Sequence, residues 1–240
     1  MAEPALPADR WWSPWCSVDD TTILHVDLAL SPDREEQAVT LLDEAEGARW
    51  KRSRSGEARY AFALCRAALR ITLAAHAGCD AQDLSFGHLD HGKPFAIIGG
   101  RRSGIGFNVS HSGGHGLIAI GGDDDLGVDV EERSLHRDFA GLARRVYGPR
   151  ERQRLTQVSG TERIHLFYRL WTMKEALLKA TGAGLSLGPS RFEVPESMLD
   201  GARACLFRFP HDPSPPLRLV DLGEERFAAA LASRPGTRVP

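Results

Sequence analysis

The segment Leu126-Gly127-Val128-Asp129-Val130-Glu131 sets apolar or small residues against carboxylates in strict alternation. Side chains alternate along a strand, so Leu126, Val128 and Val130 face one side while Asp129 and Glu131 face the other. Two rises of about 3.3 Å separate the carboxylate-bearing Cα atoms by roughly 7 Å, close enough for the side chains to converge on one ion. Hard oxygen donors without Cys or His beside them favour Mg2+ or Mn2+, with water and a substrate phosphate completing the shell. The plain alternative is an edge strand with a solvated polar face. Asp123-Asp124-Asp125 reads as a solvated turn. An EF-hand is excluded, because the loop needs Gly at its sixth position and counting from Asp123 places Val128 there.

Further along, Trp171, Glu175 and Lys179 recur at i, i+4 and i+8 and so share one stripe of a helix. Leu166, Leu170, Met173 and Leu177 form the neighbouring apolar stripe, which is core by default. Glu175 and Lys179 could be a simple helix-stabilising pair worth about 0.2–0.5 kcal/mol. They could also supply a third carboxylate and a phosphate-neutralising ammonium. Phe107-Asn108-Val109-Ser110-His111-Ser112-Gly113-Gly114-His115 leaves a strand for a turn of small residues, where backbone N–H groups, hydroxyls and His111 could reach a phosphate. The His111/His115 spacing fits H-E-x-x-H, but Ser112 replaces the Glu and Gly113-Gly114 would break the helix, so zinc is rejected. Arg49, Lys51, Arg52, Arg54, Arg59 and Arg66 form a basic run, and Gly92-Lys93-Pro94 places another cation in a turn. A solvated helix face is the usual meaning of such a run. Of 30 basic residues only four are lysines, and Lys93, Lys174 and Lys179 fall within the phosphate-handling candidates. That placement suggests sites wanting a compact point charge.

The elements that would position these groups follow from pattern. Residues 1–20, rich in Pro, Asp and Trp, read as irregular surface, and 22–28 as a half-buried strand. A helical stretch spans 32–77 with an interruption near 53–56, carrying Tyr60, Leu64, Ala67, Ala68, Ile71 and Ala75 at helical spacing. Short strands are expected at 84–89, 95–98, 105–109, 116–121 and 126–131, helices near 139–146, 149–157 and 161–180, strands in the last sixty residues, and a frayed tail from Arg234. Strands followed by one dominant helix in each half point to α+β rather than βαβ alternation. The expected organisation is two pseudo-twofold-related subdomains, 1–120 and 121–240, each a small, mostly antiparallel sheet with a long helix, the site lying in the cleft between them. With 32 acidic residues against 30 basic, the net charge of -2 excludes a broad polyanion or membrane coat, so any anion site is local. Cys16, Cys65, Cys79 and Cys205 have neither C-x-x-C nor zinc-finger spacing, and no apolar run suits a signal or a membrane span. A reduced, cytoplasmic protein is expected.

Gly92-Lys93-Pro94, Phe107 to Ser112, Gly127 to Glu131 and Phe167-Tyr168-Arg169-Leu170-Trp171-Thr172-Met173-Lys174-Glu175-Ala176-Leu177-Leu178-Lys179, in that order, closely resemble the Sfp-like 4'-phosphopantetheinyl transferases over roughly residues 44–190. The length suits the single-chain, pseudo-dimeric subgroup, which implies a monomer. The resemblance implies coenzyme A and Mg2+ in the cleft, with Asp129, Glu131 and Glu175 as metal ligands and Lys179 on the phosphates. It places Asn108, Val109, Ser110 and His111 in the coenzyme A site, His111 at the 3'-phosphate, and Gly92 with Lys93 beside them. Arg49 matches the early basic contact, with Arg52 and Arg54 as alternatives. The implied partner is an apo acyl or peptidyl carrier protein, with neither nucleic acid nor membrane involved. Glu175, directly or through a water it orients, is the expected general base. Arg144, Arg145, Arg150, Arg152 and Arg154 offer a basic rim for an acidic carrier.

Overall fold

The computed structural model describes residues 10–122, 124–134, 139–182, 184–210 and 212–235. Its first element corrects the irregular surface expected for the N-terminus. β1 (Trp12–Val18) pairs antiparallel with β2 (Thr21–Asp27), and Trp11 and Trp12 are buried. A register shift between Pro14 and Cys16 breaks the two-residue alternation, which is why the strand is hidden in the sequence. Residues 1–9 of that expectation, Asp123 of the acidic turn and 236–240 of the frayed tail lie outside the described residues.

Three helices replace one interrupted stretch: α1 (Pro32–Thr40), α2 (Glu44–Arg52) and α3 (Gly56–Ala77). The additional break falls at Asp43, whose carboxylate accepts from the Glu46 N–H while Glu46 accepts from the Asp43 N–H. This reciprocal cap satisfies two otherwise orphaned donors and starts α2 afresh. On α3, Tyr60, Leu64, Ala67, Ala68 and Ile71 are buried as their spacing requires, whereas Ala75 is exposed. A small sheet of β3 (Leu84–His88), β4 (Pro94–Ile98) and β5 (Arg101–Arg102) follows. The hairpin of β6 (Gly106–Ser112) and β7 (His115–Gly121) turns on Gly113-Gly114, with Gly113 at φ +55. Next come β8 (Gly127–Glu132), α4 (Phe139–Val146), α5 (Pro149–Gln157), α6 (Gly160–Thr181), the single turn α7 (Glu196–Leu199), and β9 (Ala204–Phe207), β10 (Leu217–Asp221) and β11 (Phe227–Ser233).

Two four-stranded sheets, ordered β1-β2-β7-β6 and β8-β11-β10-β9, have antiparallel neighbours throughout. Their inner faces meet through Ile23, Leu117 and Ala119 on one side and Val128, Val130, Phe227 and Leu231 on the other. The outer faces are covered by α3 and α6, each 22 residues long. The fold is therefore α+β in four layers, helix–sheet–sheet–helix, built from two like halves. Among the described residues no helix is long and apolar enough to cross a membrane.

Candidate functional site

The strand alternation read from the sequence places Val128 and Val130 in the inter-sheet core and turns Gly127, Asp129 and Glu131 toward α6. Gly127 is what allows the helix so close. A Cβ there would lie 2.1 Å from the Ala176 carbonyl oxygen and 2.5 Å from the Ala180 nitrogen, so any side chain would push α6 away. With α6 seated on the strand, Lys179 Nζ donates to Asp129 Oδ1 at 2.7 Å, to Ser110 Oγ at 2.9 Å and to the Val128 carbonyl at 3.1 Å. Glu175 stands one turn away on the same stripe.

The partner across the cleft is β6, and this corrects the expected small-residue loop. Ser110, His111 and Ser112 are strand residues paired with Leu117, Gly116 and His115, so that side of their backbone is occupied by the sheet and cannot form a phosphate-cradling turn. Their side chains do the work instead. As edge strands of separate sheets, β6 and β8 lie side by side with partner numbers rising together, which makes them parallel, and polar side chains replace a backbone ladder. Asn108 Oδ1 accepts from the Val128 N–H at 3.0 Å, Ser110 Oγ donates to Asp129 Oδ1 at 2.7 Å, and Ser112 Oγ donates to Glu131 Oε2 at 2.8 Å.

Two adjoining cavities occupy this cleft. One, of about 280 Å³, is lined by Gly92, Lys93, Asn108, Val109, Glu175 and Lys179. The other, of about 230 Å³, is lined by Arg49, Arg66, His88 and His111 and shares Gly92, Asn108 and Val109 with the first. Eight of the thirteen expected site residues line these walls; Arg52, Arg54, Ser110, Asp129 and Glu131 do not. Asp129 and Glu131 are held just behind them through Ser110 and Ser112. Arg52 and Arg54 are exposed and line neither cavity, so of the three early arginines it is Arg49 that reaches the cleft. Lys93 lines the first cavity while its ammonium donates to the Ala180 carbonyl at the C-terminal end of α6.

Lys174 is a correction. It is fully buried, 2.9 Å from Glu151 Oε2, and donates to the carbonyls of Pro189 and Phe192. It holds α5 to α6 and takes no part in the cleft. Within the suggested arginine rim, Arg150 pairs with Glu193, Arg152 donates to the Tyr147 carbonyl and Arg154 bonds Gln157, while Arg144 and Arg145 are exposed.

Arg66 and His88 are cleft residues that the sequence did not single out. Arg66 was visible only as one of a run of cations, and its placement depends on Glu46. That residue is 3.4 Å from Arg66 Nε, pairs with Arg70 at 3.0 Å, and is itself fixed by the α2 cap. Arg66 packs over the Phe86 ring with its Nη1 buried and without a hydrogen-bond partner. Cys65 lines the same cavity, but burial pushes its thiol up to about 12, so it stays protonated and unreactive. All four cysteines are free.

Among the described residues, no group of three or more His, Cys, Asp or Glu side chains forms a ready-made metal cage. What the carboxylates do form is a site short of positive charge. Asp129 Oδ2 is buried without a hydrogen-bond partner. Burial, and then the Asp129 charge, raise the Glu175 carboxyl above the ordinary range against the opposing pull of Lys179, and Glu131 adds to the rise. Hard oxygens, one of them orphaned, fit a divalent cation that brings its remaining ligands with it. On the opposite wall, desolvation and the Lys179 ammonium lower the pKa of His111.

Carboxylates facing cations in a cleft between two like halves suit a phosphate-bearing ligand held across the junction. The comparisons agree with that class and sharpen it. The family model of the 4'-phosphopantetheinyl transferase superfamily matches residues 125–232. A putative 4'-phosphopantetheinyl transferase of Synechocystis sp. is 42% identical over 148 residues, 62% of this chain and 60% of that protein. The 4'-phosphopantetheinyl transferase HetI of Nostoc sp. is 32% identical over 170 residues, 70% of this chain and 71% of the relative. The 4'-phosphopantetheinyl transferase Sfp of Bacillus subtilis is 26% identical over 174 residues, 71% and 74% of the two chains. The chain belongs to the 4'-phosphopantetheinyl transferase family.

Proposed function

We propose that the protein transfers the 4'-phosphopantetheine moiety of coenzyme A to a serine of an apo acyl or peptidyl carrier protein, with Mg2+ or Mn2+, releasing adenosine 3',5'-bisphosphate. The observation that carries the reading is the juxtaposition of Asp129, Glu175 and Lys179 at one end of a continuous cleft with Arg49, Arg66 and His111 at the other. Coenzyme A has the same division, a pyrophosphate and a separate 3'-phosphate. The pyrophosphate belongs beside Lys179, and the 3'-phosphate belongs in the cavity whose guanidiniums can form paired hydrogen bonds to it.

Asp129 Oδ2, Glu131 and Glu175 would hold the divalent cation, which supplies neutralisation of charge developing on the pyrophosphate. In the transfer the carrier serine Oγ forms a bond to the β-phosphorus while the bond from that phosphorus to the bridging oxygen breaks. The electron pair leaves with the adenosine bisphosphate. Lys179 is placed to stabilise the leaving phosphate. Glu175, its carboxyl pKa raised by burial and then by Asp129, is placed to accept the serine proton. Both walls of the cleft come from one chain, which supports action as a monomer, and the free cysteines suit a reducing cytoplasm.

Intact-mass measurement on an apo carrier incubated with the protein, coenzyme A and Mg2+ tests the reading: a gain of one phosphopantetheine is expected, and none with Glu175→Ala. Adenosine bisphosphate released at the same rate without any carrier would show a phosphohydrolase instead.

A further inference from the structure

We infer that Ser112 is a positioning residue that holds Glu131 in metal-binding orientation from the opposite half of the molecule. The inference rests on the reading of Glu131 as a ligand. Ser112 is the last residue of β6, immediately before the Gly113-Gly114 tip. Its hydroxyl is used twice: it donates to Glu131 Oε2 at 2.8 Å and accepts from the Glu132 N–H at 3.2 Å. A hydroxyl whose acceptor side is occupied by a backbone N–H has its own proton directed at one place, and here that place is the carboxylate.

The hairpin tip is itself fixed against β8. The Gly114 N–H donates to Glu132 Oε2 at 3.3 Å, and a Cβ on Gly113 would fall 1.4 Å from that same oxygen. Ser112 therefore cannot drift without the tip moving off β8. Glu131 sits near the end of its strand with its side chain only partly buried, so hydrogen bonding as well as packing sets its rotamer. Hydrogen-bonded partners behind ligating carboxylates orient the ligand, and their loss typically costs about 10–100-fold in metal affinity.

Titration calorimetry of Mg2+ into the 240-residue protein saturated with coenzyme A, with no carrier present, measures this without reading activity. Ser112→Ala is expected to weaken Mg2+ binding by about 10–100-fold, and Ser112→Thr, which keeps a hydroxyl, to restore it to within about threefold of wild type. In a Glu131→Gln background Ser112→Ala should add no further loss, because the two residues act through one contact. Should the alanine variant not fold, Ser112→Cys keeps the volume while weakening the donor and is expected to bind Mg2+ more weakly than wild type. Wild-type affinity in Ser112→Ala or Ser112→Cys, equal losses in the Ala and Thr variants, or a full additional loss in the Gln background would overturn the inference. Absence of Mg2+ binding by the wild-type complex would instead remove the ligand reading on which it rests.

Discussion

Glu175 carries a charge that the fold disfavours, and that makes it testable apart from activity. Its carboxyl is raised by burial and by Asp129, so folding favours the neutral form. A group raised in the folded state contributes stability below its unfolded pKa and loses that contribution as pH rises through the folded value. At pH 7.5 without divalent cation the ionised Glu175 therefore destabilises the protein, and Glu175→Gln should raise Tm by roughly 2–4 °C, what about 1 kcal/mol gives a chain of this size. The gain should shrink at pH 4, just below the ordinary Glu pKa of about 4.3, where most of the Glu175 carboxyl is protonated in both states, while transfer to a carrier is abolished at every pH. Thermal unfolding followed by circular dichroism in EDTA at the two pH values checks this, and an unchanged Tm at pH 7.5 would refute it. Residue chemistry of this kind was largely legible in the sequence, since carboxylate alternation and the i, i+4 stripe are local periodicities. Arg66 was not, because its role depends on Glu46 arriving from another helix. Lys174 misled because composition marks a residue as unusual without saying which face of α6 it occupies.

The contact between α6 and β8 sets whether Glu175 and Lys179 meet Asp129 at all, and Gly127 is its gauge. Gly127→Ala places a methyl group against the Ala176 carbonyl and the Ala180 nitrogen, both backbone, so neither can rotate aside. A loss of about 3 kcal/mol in urea unfolding, the upper end for overpacking, should accompany a fall in transfer rate of at least about 100-fold, as a misplacement near 1 Å can cause. A silent substitution would mean that the helix is not held by this contact. Another face of the same helix, within a turn of that contact, is fixed by Lys174 and Glu151, both almost fully buried. Lys174→Met leaves the Glu151 carboxylate without its cation and should cost about 3–5 kcal/mol. Adding Glu151→Gln should recover much of that, measured by the same unfolding transition. Element types and positions were readable from periodicity for α3 and α6 and for β3, β4, β7 and β8, whereas β5 was not expected and β9 to β11 were expected only somewhere in the last sixty residues. The extension of β6 through Ser112 was not, because Ser, His and Gly carry turn statistics, and only pairing with β7 makes them strand.

At the scale of the molecule, the two sheets meet through an apolar interior closed at one end by polar rings. His25 Nε2 and His115 Nδ1 lie 3.0 Å apart, and both rings pack on Phe227 from the facing sheet. Sequence gave no sign of this meeting. Sheet order and the pairing of β1 are long-range choices, and His25 and His115 stand 90 positions apart until β2 and β7 are joined. Desolvation lowers both imidazoles, helped at both by Arg226 and at His25 also by His115, and opposed at both by Asp27 and Glu224, with Glu132 also opposing at His115. Groups lowered in the folded state contribute stability that is fully present above the ordinary imidazole pKa of about 6.5 and is lost as pH falls below it toward the folded values. The hydrogen bond between the rings needs one of them to accept, so the doubly protonated pair cannot form it. Denaturant midpoints measured from pH 7.5 down to pH 5 should therefore fall. The fall should be shallower in His25→Gln with His115→Gln, which keep hydrogen-bonding groups but do not titrate. His111 and His165 are also lowered and would leave a residual slope in that variant, which His111→Gln together with His165→Gln should then reduce. An identical slope in wild type and the double variant would place the acid sensitivity elsewhere than at the junction of the two sheets.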